Sequence, residues 1–216
     1  MLFRSYNCSF LNITSVKDFA DLFYMSMSGA GVGFSVKKRH VANLEVVPEG
    51  FVVAPYIVDD SAEGWCDSLV ALFTNPDLQF DYTQIRPMGS PLSTGGTSSG
   101  PKALIKMHAN VRAILRKAEG RKLTPFECHR ICCLVADCVV VGGVRRGALI
   151  SLFDADEQEL VHCKAGNWWE KYPELARANN SAVLRKDDPE FASKAAYIIQ
   201  ACFDGGQAEP GLSLTG

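Results

Sequence analysis

The sequence predicts an α/β fold built on a parallel sheet, and three observations carry that prediction. Residues 6–36 read strand, helix, strand with short joints, the pattern that parallel neighbours require. An apolar helix near residues 125–141 runs through a glycine break straight into a strand-like run, Ala148–Phe153. With 216 residues, 47% of them hydrophobic, the chain can bury one sizeable core, so a single domain over 1–216 is expected.

Tyr6–Ile13 reads as the first strand, and Ser15 is placed to cap the helix that follows. Val16, Phe19, Leu22, Phe23 and Met27 fall on one stripe at helical spacing. Gly29 stops that helix and Val32–Val36 resumes as a strand. Lys37–Asp59 is less regular, with Phe51-Val52-Val53 a candidate strand. A helix starts near Asp60 or Ser61 and repeats Trp65, Leu69 and Phe73 at four-residue intervals. Asn75–Ser99, rich in Pro, Gly, Ser and Thr, reads as an extended loop of the length that usually serves function or lacks order.

Pro101–Ala118 is amphipathic through Leu104, Met107, Val111, Ile114 and Leu115, and Gly120 closes it. Thr124-Pro125-Phe126-Glu127 is a capping box with proline at the first helical position. The helix it opens is apolar nearly all round, so it belongs at the centre of the core. Gly166–Ser181 holds Asn167-Trp168-Trp169 and Asn179-Asn180-Ser181, with no strand assigned there. Asp187-Asp188-Pro189 opens a last helix through Phe191, Ala195, Ile198, Ile199 and Cys202. Ala208–Leu214 begins another extended segment, so the chain is expected to stop partway through an architecture.

Charge excludes some functions. With 22 basic and 24 acidic residues there is no basic surface of the kind nucleic-acid binding needs. No apolar run is long enough to span a membrane, and Met1–Tyr6 lacks the apolar core of a signal peptide. A cytoplasmic protein is expected, and its eight cysteines should then be free thiols. Cys128, His129, Cys132 and Cys133 offer a zinc alternative, but neighbours in one helix point to different faces, and binding pairs usually sit on a knuckle.

Four segments have chemical potential. Gly142-Gly143-Val144-Arg145-Arg146-Gly147 joins flexible backbone to two planar cations suited to phosphate or carboxylate. Gly29-Ala30-Gly31-Val32-Gly33 follows a helix and opens a strand, the reverse of a dinucleotide fingerprint, and suits a ligand lying against bare backbone. Thr94–Pro101 ends at a helix N-terminus without the lysine of a P-loop. Cys8 lies on the first strand, where it reads either as a buried strand cysteine or as a redox thiol. Trp168 and Trp169 read as packing residues.

These pieces occur in a recognisable order: Tyr6-Asn7-Cys8-Ser9-Phe10, Gly29-Ala30-Gly31-Val32-Gly33-Phe34, Arg86-Pro87 with Gly95-Gly96-Thr97, Gly142-Gly143-Val144-Arg145-Arg146, and Arg177-Ala178-Asn179-Asn180-Ser181. The set resembles the catalytic large chain of ribonucleotide reductases, most closely the adenosylcobalamin-dependent, class II type. Gly64-Trp65, Gly166-Asn167-Trp168-Trp169 and Glu209-Pro210-Gly211 fit the same branch. The resemblance implies the first half of a ten-stranded α/β barrel. It implies that Cys8 is one of two thiols that reduce the ribose 2′ position, with Asn7, Gly31, Gly33 and Arg145 on the substrate side. Gly31 and Gly33 match a backbone turn that approaches the substrate. Arg86, Gly95, Gly96, Gly142, Gly143, Val144 and Arg146 match the loops that bind a nucleoside triphosphate effector.

The same resemblance implies adenosylcobalamin as cofactor, a ribonucleotide substrate and a thioredoxin-like reductant. It also marks departures. The Asn-Pro-Cys segment that carries the family's thiyl radical does not occur here, and the second reducing cysteine and the phosphate loop lie downstream in the family. The expectation is therefore one piece of a reductase, acting with a complementary C-terminal chain. A non-catalytic nucleotide-binding module and a zinc-binding structural protein are the alternatives.

Overall fold

The computed structural model describes residues 8–91, 97–141 and 148–215. Its centre is a five-stranded sheet in the order β1-β2-β5-β6-β7, with every neighbouring pair parallel. The first unit is β1 (Cys8–Asn12), α1 (Val16–Met27) and β2 (Gly31–Ser35). Asp18 fixes the start of α1, its carboxylate accepting from the backbone N–H of Thr14 at 2.8 Å and of Ser15 at 2.7 Å. Gly29, at φ +82°, turns the chain from α1 into β2.

A short helix, α2 (Lys38–Val41), leads to β3 (Tyr56–Ile57), α3 (Ala62–Thr74) and β4 (Phe80–Asp81). Ser61 caps α3 as expected, its hydroxyl accepting from Gly64 N–H at 2.9 Å. Two long helices follow, α4 (Lys102–Ala118) and α5 (Pro125–Val141). The capping box at α5 is formed in both directions: Thr124 N–H donates to Glu127 Oε2 at 2.9 Å, and Glu127 N–H to Thr124 Oγ1 at 3.2 Å. The chain then runs through β5 (Leu149–Asp154), α6 (Gln158–His162), α7 (Trp168–Lys171), a 3-10 turn (Pro173–Arg177), β6 (Ala178–Arg185), α8 (Phe191–Gly205) and β7 (Gly211–Thr215).

Helices cover one face of the sheet. Along β2, β5 and β6 the residues Val32, Phe34, Leu149, Phe153, Ala178, Ala182 and Leu184 are buried. Their alternate neighbours Gly31, Gly33, Ile150, Asn179 and Ser181 are not. The buried set packs with Phe19, Leu22 and Phe23 of α1 and with Ile131, Cys132, Val135 and Val139 of α5. α5 is central because it meets α1, α4 and β5 together. No helix among the described residues is long and apolar enough to cross a membrane.

Three expectations are corrected. Phe51-Val52-Val53 is not a strand: Val52 is 97% exposed, and the Asn75 side chain bonds both the N–H and the carbonyl of Phe51 in place of a ladder. Pairing forms instead between β3, just after that stretch, and β4, which lies inside the expected Asn75–Ser99 loop. Phe80 stacks on the His108 ring at 4.3 Å and Tyr82 Oη meets His108 Nδ1 at 2.8 Å, which ties the pair to α4. Finally, residues 178–185 form a full strand, hidden in the sequence because Asn179, Asn180 and Ser181 mask its alternation.

Candidate active face of the sheet

Parallel registry places the expected reactive residues on one edge and one face. Cys8 lies opposite Gly31, and Val32 opposite Leu149, which is opposite Ala178. The N-terminal ends of β1, β2, β5 and β6 therefore form a common rim running through residues 8, 31, 148 and 177. Side chains that alternate with the buried set form the uncovered face: Cys8 and Phe10 on β1, Gly31 and Gly33 on β2, Ile150 on β5, and Asn179 and Ser181 on β6. Cys8 is exposed there, against its reading as a buried strand cysteine. The reason is the missing cover: with helices on one side only, alternation sends this thiol outward.

Gly31 and Gly33 are not a turn, as the resemblance implied, but strand residues; the turn is made by Gly29. A side chain at Gly33 would nevertheless have to displace a neighbour. A Cβ there would lie 2.6 Å from Cδ2 of Phe10, because the Phe10 ring lies over it. The bare backbone at Gly33 is therefore occupied by a neighbouring ring (itself 56% exposed).

On the far side of β6 the ladder is completed by side chains. β7 pairs with β6 only from Gly211 opposite Ser181 onward, so Ala178 C=O and Asn180 N–H have no strand partner. Lys164 Nζ donates to Ala178 O at 2.5 Å, and Asn180 N–H donates to Glu209 Oε2 at 3.2 Å. Lys164 and Glu209 pair with each other at 2.6 Å, and Lys164 lies 5.6 Å from the Trp168 ring centre. An ion pair thus stands where one strand residue opposite Asn179 would be. Glu209 belongs to the Glu209-Pro210-Gly211 motif, but nothing in the sequence signalled Lys164.

Arg86 is fixed to the helix layer. Its Nε donates to Asp60, just before the α3 cap, and its Nη1 to Pro91 O at 3.3 Å. Gly89 N–H to Ser98 O and Ser98 N–H to Ser90 O, both 2.8 Å, close the base of the loop that follows. Gly95 and Gly96 lie outside the described residues, as do Asn7 and Gly142, Gly143, Val144, Arg145 and Arg146. Ala148, which follows that last stretch in sequence, joins the rim through its carbonyl, which accepts from Val32 N–H at 3.2 Å.

The cysteine-rich helix has no thiolate character. Burial pushes Cys128, Cys132 and Cys133 well above the ordinary thiol range. Cys133 Sγ lies 3.6 Å from His129 Nε2, whose Nδ1 meets Ser151 Oγ at 2.9 Å. Among the described residues no three His, Cys, Asp or Glu side chains gather as a metal site requires. A cavity of about 240 Å³ lies in the helix layer between Val16, Leu44, Val46, Phe73 and Leu123, away from the Cys8 face.

No family model matches this chain. It is 34% identical over 200 residues to the adenosylcobalamin-dependent ribonucleoside-triphosphate reductase of Euglena gracilis, covering 86% of this chain and 27% of that protein. The Lactobacillus helveticus enzyme of the same name is 30% identical over 241 residues, covering 90% of this chain and 31% of its own length. A probable enzyme of that name from Dictyostelium discoideum is 27% identical, covering 96% and 30%. The crystal structure of a B-12 dependent (class II) ribonucleotide reductase superimposes with a TM-score of 0.77 at 25% identity, covering 96% of this chain and 36% of that one. The chain thus spans 27% to 31% of the length of these curated relatives.

Proposed function

We propose that this chain, a relative in sequence and fold of the adenosylcobalamin-dependent ribonucleotide reductases, supplies one part of such an enzyme: the N-terminal portion of its catalytic barrel with one reducing thiol. The observation that carries the reading is the exposed Cys8 on the uncovered sheet face, beside Gly31 and on the rim where residue 148 enters β5. A thiol so placed is open to a ligand lying across β1 and β2, with no side chain on Gly31 to hold that ligand away.

In the reaction proposed, a ribonucleotide and two thiols give a deoxyribonucleotide, water and a disulfide. The 2′ C–O bond breaks, its oxygen leaves as water, and a hydrogen takes its place. Cys8 is one of the two thiols oxidised; its partner and the radical cysteine come from a complementary chain. A thioredoxin-like dithiol then reduces the disulfide. Substrate is held with Asn7, Gly31, Gly33 and Arg145, and a nucleoside triphosphate effector with Arg86, Gly95, Gly96, Gly142, Gly143, Val144 and Arg146. Adenosylcobalamin, as in the relatives' names, would supply the radical.

The test is reconstitution. The chain is mixed with the remaining part of the reductase, adenosylcobalamin, a dithiol and a ribonucleoside triphosphate, and deoxynucleotide is measured. Product is expected with the wild type and not with Cys8→Ser. Turnover that Cys8→Ser leaves intact, or no product from a folded complex, refutes the reading.

A further inference from the structure

We propose that Asn179 reads the nucleobase of a nucleotide lying on the Cys8 face, and that Lys164 and Glu209 are its positioning residues. The proposal deepens the ribonucleotide reading above and rests on it.

Three observations place Asn179 there. Registry puts it in one row with Phe10, Gly33 and Ile150, on the face that Cys8 shares. It is exposed, whereas its neighbour Asn180 is buried on the helix side. Between Cys8 and Asn179 the face is made of glycine and apolar groups: Phe10, Gly31, Gly33 and Ile150, the last 48% exposed. Such a floor accepts the flat apolar surface of a sugar and base but offers no side-chain hydrogen bonds to either. The carboxamide of Asn179 ends that floor.

Distance and chemistry agree on which part of the ligand it meets. Three inter-strand steps and two residues along the strand separate Cys8 from Asn179, roughly 16 Å between Cα atoms. Thiol, ribose, base and amide laid end to end span that gap. An uncharged carboxamide presents one acceptor beside two donors, which matches the mixed edge of a base and is a poor match for a polyanion. Asn12, the other exposed amide of this face, lies at the opposite end of β1, away from the rim.

The Lys164–Glu209 pair gives Asn179 a fixed backbone. The ladder bonds on either side of it, Ala178 C=O and Asn180 N–H, are held by these two side chains. Without them the rim end of β6 would carry two unpaired backbone groups, and Asn179 would be held from the β5 side alone.

The test follows alkylation of Cys8 by iodoacetamide, so that only ligands on its own face register. ATP, GTP, CTP and UTP are titrated one at a time against the full chain, with ribose 5-triphosphate as a base-free probe. At least one nucleotide is expected to protect Cys8. Asn179→Ala should raise its half-protecting concentration tenfold or more, and leave that of ribose 5-triphosphate unchanged. Lys164→Met should weaken the same nucleotide and speed hydrogen exchange at the Asn180 amide, with Lys164→Arg restoring both. Protection that Asn179→Ala leaves unchanged, or an equal loss with ribose 5-triphosphate, overturns the proposal and leaves the reductase reading standing. If no nucleotide protects the wild type, the proposal falls, and the reductase reading is decided by the reconstitution above.

Discussion

Lowering the pH from 7 to 5 is expected to destabilise this protein by about 4 kcal/mol, through His108 and His129. Both rings are fully buried. His108 lies between Ser68 Oγ at 3.1 Å and Tyr82 Oη at 2.8 Å, and His129 between Ser151 Oγ at 2.9 Å and Cys133 Sγ at 3.6 Å. Burial lowers each pKa from 6.5 to about 3, helped by Arg112 at His108 and by Lys164 and Arg130 at His129. Both rings therefore stay neutral in the fold while the unfolded chain takes up protons below pH 6.5. Stability rises with pH wherever the unfolded state binds more protons, so it is full above 6.5 and lost as pH falls toward 3. Between pH 7 and 5 each ring contributes a loss of about 2 kcal/mol, at 1.36 kcal/mol per unit once the unfolded histidine is mostly protonated. Asp18 and Glu127, whose pKa values are lowered, act at more acid pH and leave this window to the histidines. Urea unfolding followed by tryptophan fluorescence at pH 7, 6 and 5 measures the effect. Stabilities equal within about 1 kcal/mol across the range would refute the assignment of two neutral, fully desolvated rings.

Two further outcomes test the sheet face. Native alkylation should label Cys8 first and leave Cys128, Cys132 and Cys133 unmodified, since these are fully buried; an unchanged fast phase in Cys8→Ser, read by mass spectrometry, would contradict its exposure. Gly33→Ala should cost about 1 kcal/mol in thermal unfolding, because its Cβ meets the Phe10 ring at 2.6 Å, and Phe10→Ala should relieve it; independent effects of the two changes would show that the ring does not rest there.

The layers of the fold were legible where local chemistry and periodicity agree. Ser15, Ser61 and the Thr124–Glu127 box announce their helices because capping residues act within one turn. The strands after Gly29 and after Glu209-Pro210 were visible for similar reasons. β6 was not, because Asn180 is a buried polar residue in a strand, held through Cys163 Sγ at 3.1 Å, and such a residue breaks the apolar alternation. β3 and β4 were missed because their short pairing depends on His108, a residue of another element. Motif order drew attention to Cys8 and the glycines beside it, which registry places side by side. It did not reveal Lys164, whose role comes from a backbone carbonyl 14 residues away in sequence. Long-range complementation of that kind leaves no local signature.

The packing of Phe34, Phe153 and Leu149 on the helix side has a consequence for how this chain tolerates change. Consecutive residues of β2 and β5 answer to different demands: one anchors the scaffold, the next only meets whatever approaches the bare surface. A library that randomises Phe10, Ile150 and Asn179 together should yield folded proteins, because the interior is sealed without them. Each of these strands works as two interleaved texts, and the one that faces the open surface can be rewritten without erasing the one that specifies shape.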